Sequence, residues 1–413
     1  MNRITLKIDR MLQKGIKKLA TAGNPEKDLE ELHFELTLSC NCKCIMCDLW
    51  DKYRKEPALK EKELSLGEIK KFVCESKYLR NIKTVVLSGG EPFLRKDFVE
   101  LCGFFTERYP GASIIILTNS YDTRLIEEKT NSLIKKYHPK SLCFGSSLDG
   151  IGEKHDQIRG VPGAFNRLKE TIERVQANFK NIRYEFNFTI TPQNYHELLP
   201  AYEFAVQHGC GFSAQFVVQK EVKAQFKWTG IQLEEIGKSI STVMERMLLK
   251  SNSNNGKGNV LRKMIKTENV GLLAQLYFWS KLVPYEKKPG RIFNRCLAGT
   301  RFAMFTPQGD LFFCPINKSM LVGNIRQYGF DTLWTSPRAE EIRKFINMGR
   351  CHCWLLCTAM PLIGEALTKE IPNAKQGLVV LKKITRKTMR IFYKSLHLGK
   401  HRSSFFKKDG KDN

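Results

Sequence analysis

Short apolar runs alternate with amphipathic stretches from residue 32 to residue 218. "LHFELTL" (32–38), "KTVVLSG" (83–89), "SIIILTN" (113–119), "SLCFGSSLD" (141–149), "IRYEFNFTI" (182–190) and "GFSAQFVV" (211–218) have the length and composition of strands. Helical periodicity fills the intervals near 65–76, 97–108, 123–136, 163–177 and 194–208. A helix between successive strands implies parallel pairing through crossovers. Six such units fall short of the eight of a closed barrel. The pattern therefore predicts an α/β fold, a partial (β/α)6 barrel resembling the TIM type, with an open side for a large substrate. Ligands gather at the C-terminal strand ends of such sheets. Here the cysteine run "SCNCKCIMCDLW" (39–50) follows the first strand, "SGGEP" (88–92) the second, "TNS" (118–120) the third and "SLDG" (147–150) the fourth.

The rhythm breaks over 219–290. "LEEIGKSISTVMERMLLK" (233–250) reads as a helix and "SNSNNGKG" (251–258) as a linker or exposed loop. A small unit at 291–365 holds five further cysteines. The predicted organisation is an N-terminal helix (1–31), the barrel (32–218), a variable helical region (219–290), the cysteine-bearing unit (291–365) and a C-terminal tail (366–413).

Composition narrows the class. The chain has 413 residues and 42% hydrophobic content, enough for a globular core. No run approaches the roughly 18 apolar residues of a membrane span, and "MNRITLKIDRMLQKGIKK" lacks the apolar block of a secretory signal. A cytoplasmic protein with reduced thiols is expected. Cys74, Cys102, Cys143 and Cys210 stand alone in apolar surroundings and read as small buried hydrophobes. The other cysteines gather at 40–47 and 296–357, and in a reducing compartment such clustering favours metal over disulfide.

Cys40, Cys44 and Cys47 have the spacing C-x3-C-x2-C, which lets one loop turn three sulfurs toward a point. A structural zinc wants four protein ligands. An iron–sulfur cubane takes one thiolate per iron, so three cysteines leave one iron open for a cofactor. Cys42 is a conceivable fourth ligand, but a loop that aims Cys40 and Cys44 at one cluster turns it aside.

This spacing after the first strand, with GGEP after the second, resembles the radical S-adenosylmethionine (SAM) superfamily over about residues 32–218. The resemblance implies an enzyme in which Cys40, Cys44 and Cys47 hold a 4Fe–4S cluster and SAM chelates the open iron. Reductive cleavage then yields a 5′-deoxyadenosyl radical that abstracts a substrate hydrogen, with electrons from a reductant such as flavodoxin or ferredoxin. Gly89, Gly90, Glu91 and Pro92 are expected along the methionyl part of SAM: the glycines let the backbone come close, and Glu91 can meet the ammonium. "SSLDGIGEKHDQIRG" (146–160) is similar to the family's fourth-strand stretch, which implies a ribose contact for Ser147 and a carboxylate contact for Arg159. Asn119 and Asp149 are within reach, although Asp149 also fits an Asx turn closing "DG". His155 and Asp156 read as caps of the following helix. Met46 stands where the family usually has an aromatic residue against the adenine, and its polarizable side chain can cover a ring face. No catalytic acid or base is singled out.

Cys296, Cys314, Cys351, Cys353 and Cys357 surround "TPQGDLFFCPIN" and "LVGNIRQYGFDTLWTSP". They resemble the SPASM/twitch extension, which carries auxiliary iron–sulfur clusters. Five cysteines cannot fill two four-ligand clusters, so one auxiliary 4Fe–4S cluster is expected on Cys296, Cys314 and two of the last three. A zinc site in the same hairpin, and His352 as a substitute ligand, are the alternatives. Pro315 follows Cys314 where sulfatase-maturing relatives have an acidic base, which argues against that activity.

The net charge is +26. Residues 1–20 carry six Lys/Arg against one Asp, and 375–413 carry twelve against two Asp, so the ends supply +15. At about 100° per residue, Leu378, Leu381, Ile384 and Phe392 oppose Lys382, Arg386, Lys387 and Lys394, and the N-terminal stretch behaves alike. Such helices suit an anionic membrane surface, peripheral to its inner face, or packing on the barrel. No nucleic-acid partner is expected, because aromatics do not interleave with the basic residues. The first expected substrate is a peptide. A sugar, a lipid-linked molecule or a tetrapyrrole is the alternative, and a non-catalytic iron–sulfur or SAM-binding protein is the competing class.

Overall fold

The computed structural model describes residues 29–218, 220–253, 270–293 and 296–370. The basic amphipathic segments expected at both termini lie outside these residues, apart from the few that join them to the described chain.

Six strands form where the alternation places them: β1 (Glu31–Thr37), β2 (Thr84–Gly89), β3 (Ser113–Thr118), β4 (Leu142–Ser147), β5 (Ile182–Ile190) and β6 (Gly211–Phe216). All neighbouring pairs among them are parallel. The crossovers are α1 (Leu66–Glu75), α2 (Phe98–Arg108), α3 (Thr123–Tyr137), a short α4 (Glu153–Arg159) followed by α5 (Ala164–Asn178), and α6 (Leu198–Gln207). Each helix buries one stripe against the sheet. On α1 that stripe is Ile69, Phe72 and Val73, and a Ser65–Glu68 capping box fixes the helix start. Cys74 falls on the opposite side of this helix and is exposed, unlike Cys102, Cys143 and Cys210, which are buried as expected.

The C-terminal unit is less separate than its composition suggested. Strands β7 (Phe302–Phe305), β8 (Asp310–Phe312) and β9 (Leu321–Asn324) extend the same sheet to nine strands, in the order β6-β5-β4-β3-β2-β1-β7-β8-β9. β7 runs parallel to β1, and the following pairs are antiparallel. Phe34 on β1 stacks on Phe305 on β7, with centroids 4.8 Å apart. Ser76 Oγ and the Lys77 N–H donate to Asp331, and Arg326 donates to Glu68 at 2.6 Å and to the carbonyls of Lys62 and Glu63. Arg326 also holds the Glu68 carboxyl down to about 2.

Two long helices, α7 (Gly230–Ser253) and α8 (Val270–Lys287), pack beyond β6, so residues 251–253 continue a helix instead of opening the expected linker. The rest of that linker lies outside the described residues. After α9 (Pro337–Asn347), the final helix α10 (Leu356–Glu370) runs past the boundary expected at 365 and packs on α8. No described helix is long and apolar enough to cross a membrane.

Phe34 and Phe305 are both essentially fully buried, and each change to Ala is expected to cost about 3–5 kcal/mol. The double variant should fall short of the sum by about 0.5–3 kcal/mol, read by chemical denaturation. Full additivity would mean that β1 and β7 are not coupled.

Candidate active site

The cysteine run leaves β1 and is gripped from two sides by backbone bonds. On one side, Gly90 N–H donates to Thr37 O and Glu91 N–H to Ser39 O, each at 2.8 Å. On the other, Lys43 N–H donates to Arg159 O at 2.9 Å and Ile45 N–H to Ile158 O at 3.0 Å. Glycines make both approaches possible. A Cβ on Gly90 would lie 2.2 Å from Ser39 O, and one on Gly160 2.2 Å from Lys43 O. The same holds at Gly89, which has φ +122° and whose Cβ would lie 2.3 Å from Thr37 O. The GGEP glycines thus have a reason inside the chain itself: they let the second loop meet the first.

Glu91 is 1% exposed. Its carboxylate accepts from Phe93 N–H (3.2 Å), Thr118 Oγ1 (3.0 Å) and Asn119 N–H (2.7 Å). Burial raises it to about 7 against these donors. The side chain is engaged within the fold, joining the ends of β2 and β3, and this replaces the expectation that it meets an ammonium group. Pro92 opens the short turn that Glu91 caps.

Asn119 donates to Asn41 Oδ1 at 2.6 Å, and its Nδ2 lies 3.8 Å from Cys40 Sγ. Cys42 and Met46 turn into a small apolar cluster with Cys44, Ile158, Val217 and Val222, and Tyr121 and Phe226 pack at its edge. Burial pushes Cys42 up to about 12 and Cys47 to about 11, and it also raises Cys40 and Cys44. Burial therefore makes these thiols hold their protons more tightly than an exposed cysteine does.

Arg159 is buried beside the run. Burial opposes its charge, but Cys44, Asp149, Cys42 and Cys40 outweigh that and raise its pKa. Nη1 donates to Asp149 Oδ2 at 3.2 Å, while Nε is buried without a partner. Asp149 Oδ1 accepts from Thr189 N–H at 2.7 Å, so this carboxylate bridges β5 and α4 and forms no Asx turn. His155 Nδ1 accepts from Asp149 N–H at 3.1 Å, and burial followed by Arg159 lowers its pKa to about 3. Asp156, as expected, caps α5 by accepting from Gly163 and Phe165 N–H. Ser147 ends β4, half-buried, beside Asn187 of β5.

At the other group, burial pushes Cys296 to about 12 and Cys314 to about 11, and raises Cys357 further. Cys296, Cys314, Cys353 and Cys357 each lie within electrostatic reach of the other three. Cys351 reaches Cys296, Cys314 and Cys353. His352 is exposed and shares a hydrogen bond with Tyr285 Oη. Among the described residues no three Cys, His, Asp or Glu side chains sit close enough to hold a single metal ion. A tetrahedral zinc would need sulfurs within about 4 Å of one another, and a four-iron cluster spans a wider set.

The concave face of the sheet was not anticipated. Leu32, Phe34 and Leu36 of β1 enter the core under the helices, so Glu31, His33 and Glu35 face the other way. His33 Nε2 lies 2.5 Å from Glu31 Oε1. Burial raises Glu35 to about 7, with Lys52 lowering and Asp48 raising it. Arg183, Glu185 and Asn187 of β5 occupy the same face, with Ser213 of β6 donating to Asn187 at 2.8 Å. Polar residues at every second position of an otherwise apolar strand were the available signal.

A cysteine loop at the mouth of a partial parallel barrel, with a second thiol group on an extension of the same sheet, defines an iron–sulfur enzyme. Residues 34–205 match the Radical SAM superfamily and 296–354 match SPASM, an iron–sulfur cluster-binding domain. The chain belongs to the radical SAM superfamily and carries a SPASM extension, which brings a 4Fe–4S cluster, SAM and auxiliary iron–sulfur chemistry. It is similar to an AdoMet-dependent heme synthase of Methanosarcina barkeri, 26% identical over 75% of this chain and 83% of that one. A mycofactocin maturase of Mycobacterium tuberculosis is 25% identical over 78% of this chain and 74% of its own. The solved structure of SuiB from Streptococcus suis bound to S-adenosylmethionine aligns with a TM-score of 0.52 at 17% identity, covering 80% of this chain and 71% of that one, a likeness of fold.

His155 stays neutral when buried and takes up a proton on unfolding, so the unfolded chain binds more protons between about pH 3 and 6.5. The stability it contributes is present above pH 6.5 and is lost as pH falls. His155→Gln keeps an acceptor for Asp149 N–H and should flatten the melting temperature across that window. An unchanged slope would contradict the assignment.

Proposed function

We propose that Cys40, Cys44 and Cys47 hold the radical-generating cluster, and that SAM lies between the GGEP turn, Asn119, Ser147 and Arg159. The observation carrying this reading is the buried, unpartnered Arg159 Nε beside three thiols. A buried guanidinium N–H without an acceptor is costly, and an anionic cluster or the carboxylate of SAM supplies one. When bound, the two cofactors supply a 5′-deoxyadenosyl radical that removes a hydrogen atom from the substrate. The chain's part is to orient and to exclude water: Asp149 fixes Arg159, Glu91 fixes the GGEP turn, and the apolar cluster around Met46 shields the loop. The auxiliary cluster is assigned to Cys296, Cys314 and Cys353, which reach one another, with either Cys351 or Cys357, each of which reaches all three, as the fourth ligand.

The reaction is hydrogen abstraction followed by oxidation or bond formation in a peptide, as the maturase relatives suggest. The heme synthase relative favours a tetrapyrrole as the second reading. A flavodoxin or ferredoxin is the electron donor, and the basic terminal segments attach the enzyme to an anionic membrane.

Reconstituted anaerobically with SAM and dithionite, the protein is expected to form 5′-deoxyadenosine. Cys→Ala at 40, 44 and 47 together should abolish it, and product persisting at the wild-type rate would refute the ligand set. Arg159→Lys keeps the charge but loses the planar donors. It should weaken SAM binding about tenfold or more, and an unchanged Kd would remove Arg159 from the site.

A further inference from the structure

The barrel is electrically polar along its strands. The loops that enter β2, β3, β4 and β5 (76–83, 109–112, 138–141 and 179–181) contain five Lys/Arg and no Asp or Glu. The loops that leave β1 to β5 (38–48, 90–97, 119–122, 148–152 and 191–197) contain three Lys/Arg and six Asp/Glu. Because the strands are parallel, all entering loops lie at one end, opposite the cysteine run.

The basic residues of this end lie on neighbouring loops, and Glu30, Glu31 and Glu365 line a second cleft at its β1 edge. Arg80, Lys83 and Arg108 line one open cleft of about 540 Å³ with Glu30. Lys140 follows in the next loop. Arg183, at the start of β5, reaches back to Ser113 Oγ at the start of β3 at 3.3 Å, and Ser141 Oγ donates to the same oxygen at 3.2 Å. Arg80, Lys140 and Lys180 are exposed and make no ion pair among the described residues, whereas Lys83 pairs with Glu30. Their charges therefore point to solvent with little local compensation. The described chain begins at Leu29, at this end, and the sequence before it carries seven Lys/Arg against three Asp/Glu.

We propose that the N-terminal rim of the barrel is the face that docks on an anionic phospholipid surface, leaving the end that carries the 40–47 cysteine run toward solvent. The proposal rests on the membrane attachment read above and names the surface that performs it. An acidic membrane meets the rim through charge complementarity. Each Lys or Arg near such a surface contributes about a fivefold gain in partition, screened by salt. At the opposite end Glu91 and Asp149 are buried and Asp97 pairs with Arg95, so the exposed charge there is nearly balanced and the attraction of the rim orients the enzyme. Continuity in sequence between the rim and the basic segment before Leu29 singles out a lipid surface over a small anion in the cleft.

Flotation of the full-length, cluster-loaded protein on vesicles tests this. It should float with phosphatidylcholine containing phosphatidylglycerol, stay down with phosphatidylcholine alone, and be released by about 0.5 M salt. The triple change Arg80→Glu, Lys140→Glu and Lys180→Glu should lower partition at least about a hundredfold. Arg124→Glu, Lys169→Glu and Lys238→Glu, on exposed helix faces, should lower it much less. Formation of 5′-deoxyadenosine and the melting temperature should be unchanged in both, which excludes misfolding. Equal flotation of the rim variant and the wild type overturns the proposal, as do equal losses in both triple variants or preference for an oligonucleotide over the vesicles. If Lys14→Glu, Lys17→Glu and Lys18→Glu alone abolish flotation while the rim variant floats normally, the rim is refuted and attachment through the terminus survives. If nothing floats, both fail.

Discussion

Four backbone hydrogen bonds decide the shape of the cysteine run, and most of the site follows from them. Two tie it to the GGEP turn and two to the end of the short fourth helix. Backbone contacts of this kind tolerate no intervening Cβ, which is why Gly90 and Gly160 stand where they do. With both flanks held, Cys42 and Met46 turn into the small apolar cluster, and Asn119 comes against Cys40. Arg159 then enters with its carbonyl spent on the loop and its guanidinium left beside the thiols. The four bonds hold the loop to the barrel on both flanks.

The second thiol group depends on the same sheet. Since β7 pairs with β1, the unit that carries the auxiliary cysteines and the strand that ends in the cysteine run share one sheet. The concave face between them carries Glu31, His33 and Glu35 on β1 itself. Cys357 lines a cleft with Glu31 and Phe302, so the auxiliary group reaches the entering end of β1 while the cysteine run leaves the other end. One strand therefore spans the distance between two iron–sulfur chemistries, with titratable side chains at every second position.

Much of this was legible in the sequence, because strand and helix periods are local. The six barrel strands and their crossovers fall within a residue or two of the positions that alternation predicts, save the start of α6 and the short α4, which it does not predict. The cysteine spacing, GGEP and the 146–160 stretch carried the family. What was not legible depends on contacts between distant parts of the chain. Nothing near Glu91 indicates that its carboxylate will be taken up by Thr118 and Asn119, nor near Asp149 that it will bridge Thr189 and Arg159. The sheet pairing of 302–305 with 31–34 was hidden for the same reason: a four-residue strand gives too short a period to announce its partner. Val222 and Phe226, which close the apolar cluster, sit where the sequence pattern had already broken down.

The central claim is that three thiolates hold a cluster whose open iron, beside Arg159, takes up SAM. The most direct measurement is the electron paramagnetic resonance spectrum of the anaerobically reconstituted, reduced protein before and after SAM is added. The account predicts a SAM-dependent change in one cluster signal, with a second, auxiliary signal left unmoved. Both signals indifferent to SAM, or stoichiometric zinc in place of iron, would contradict it.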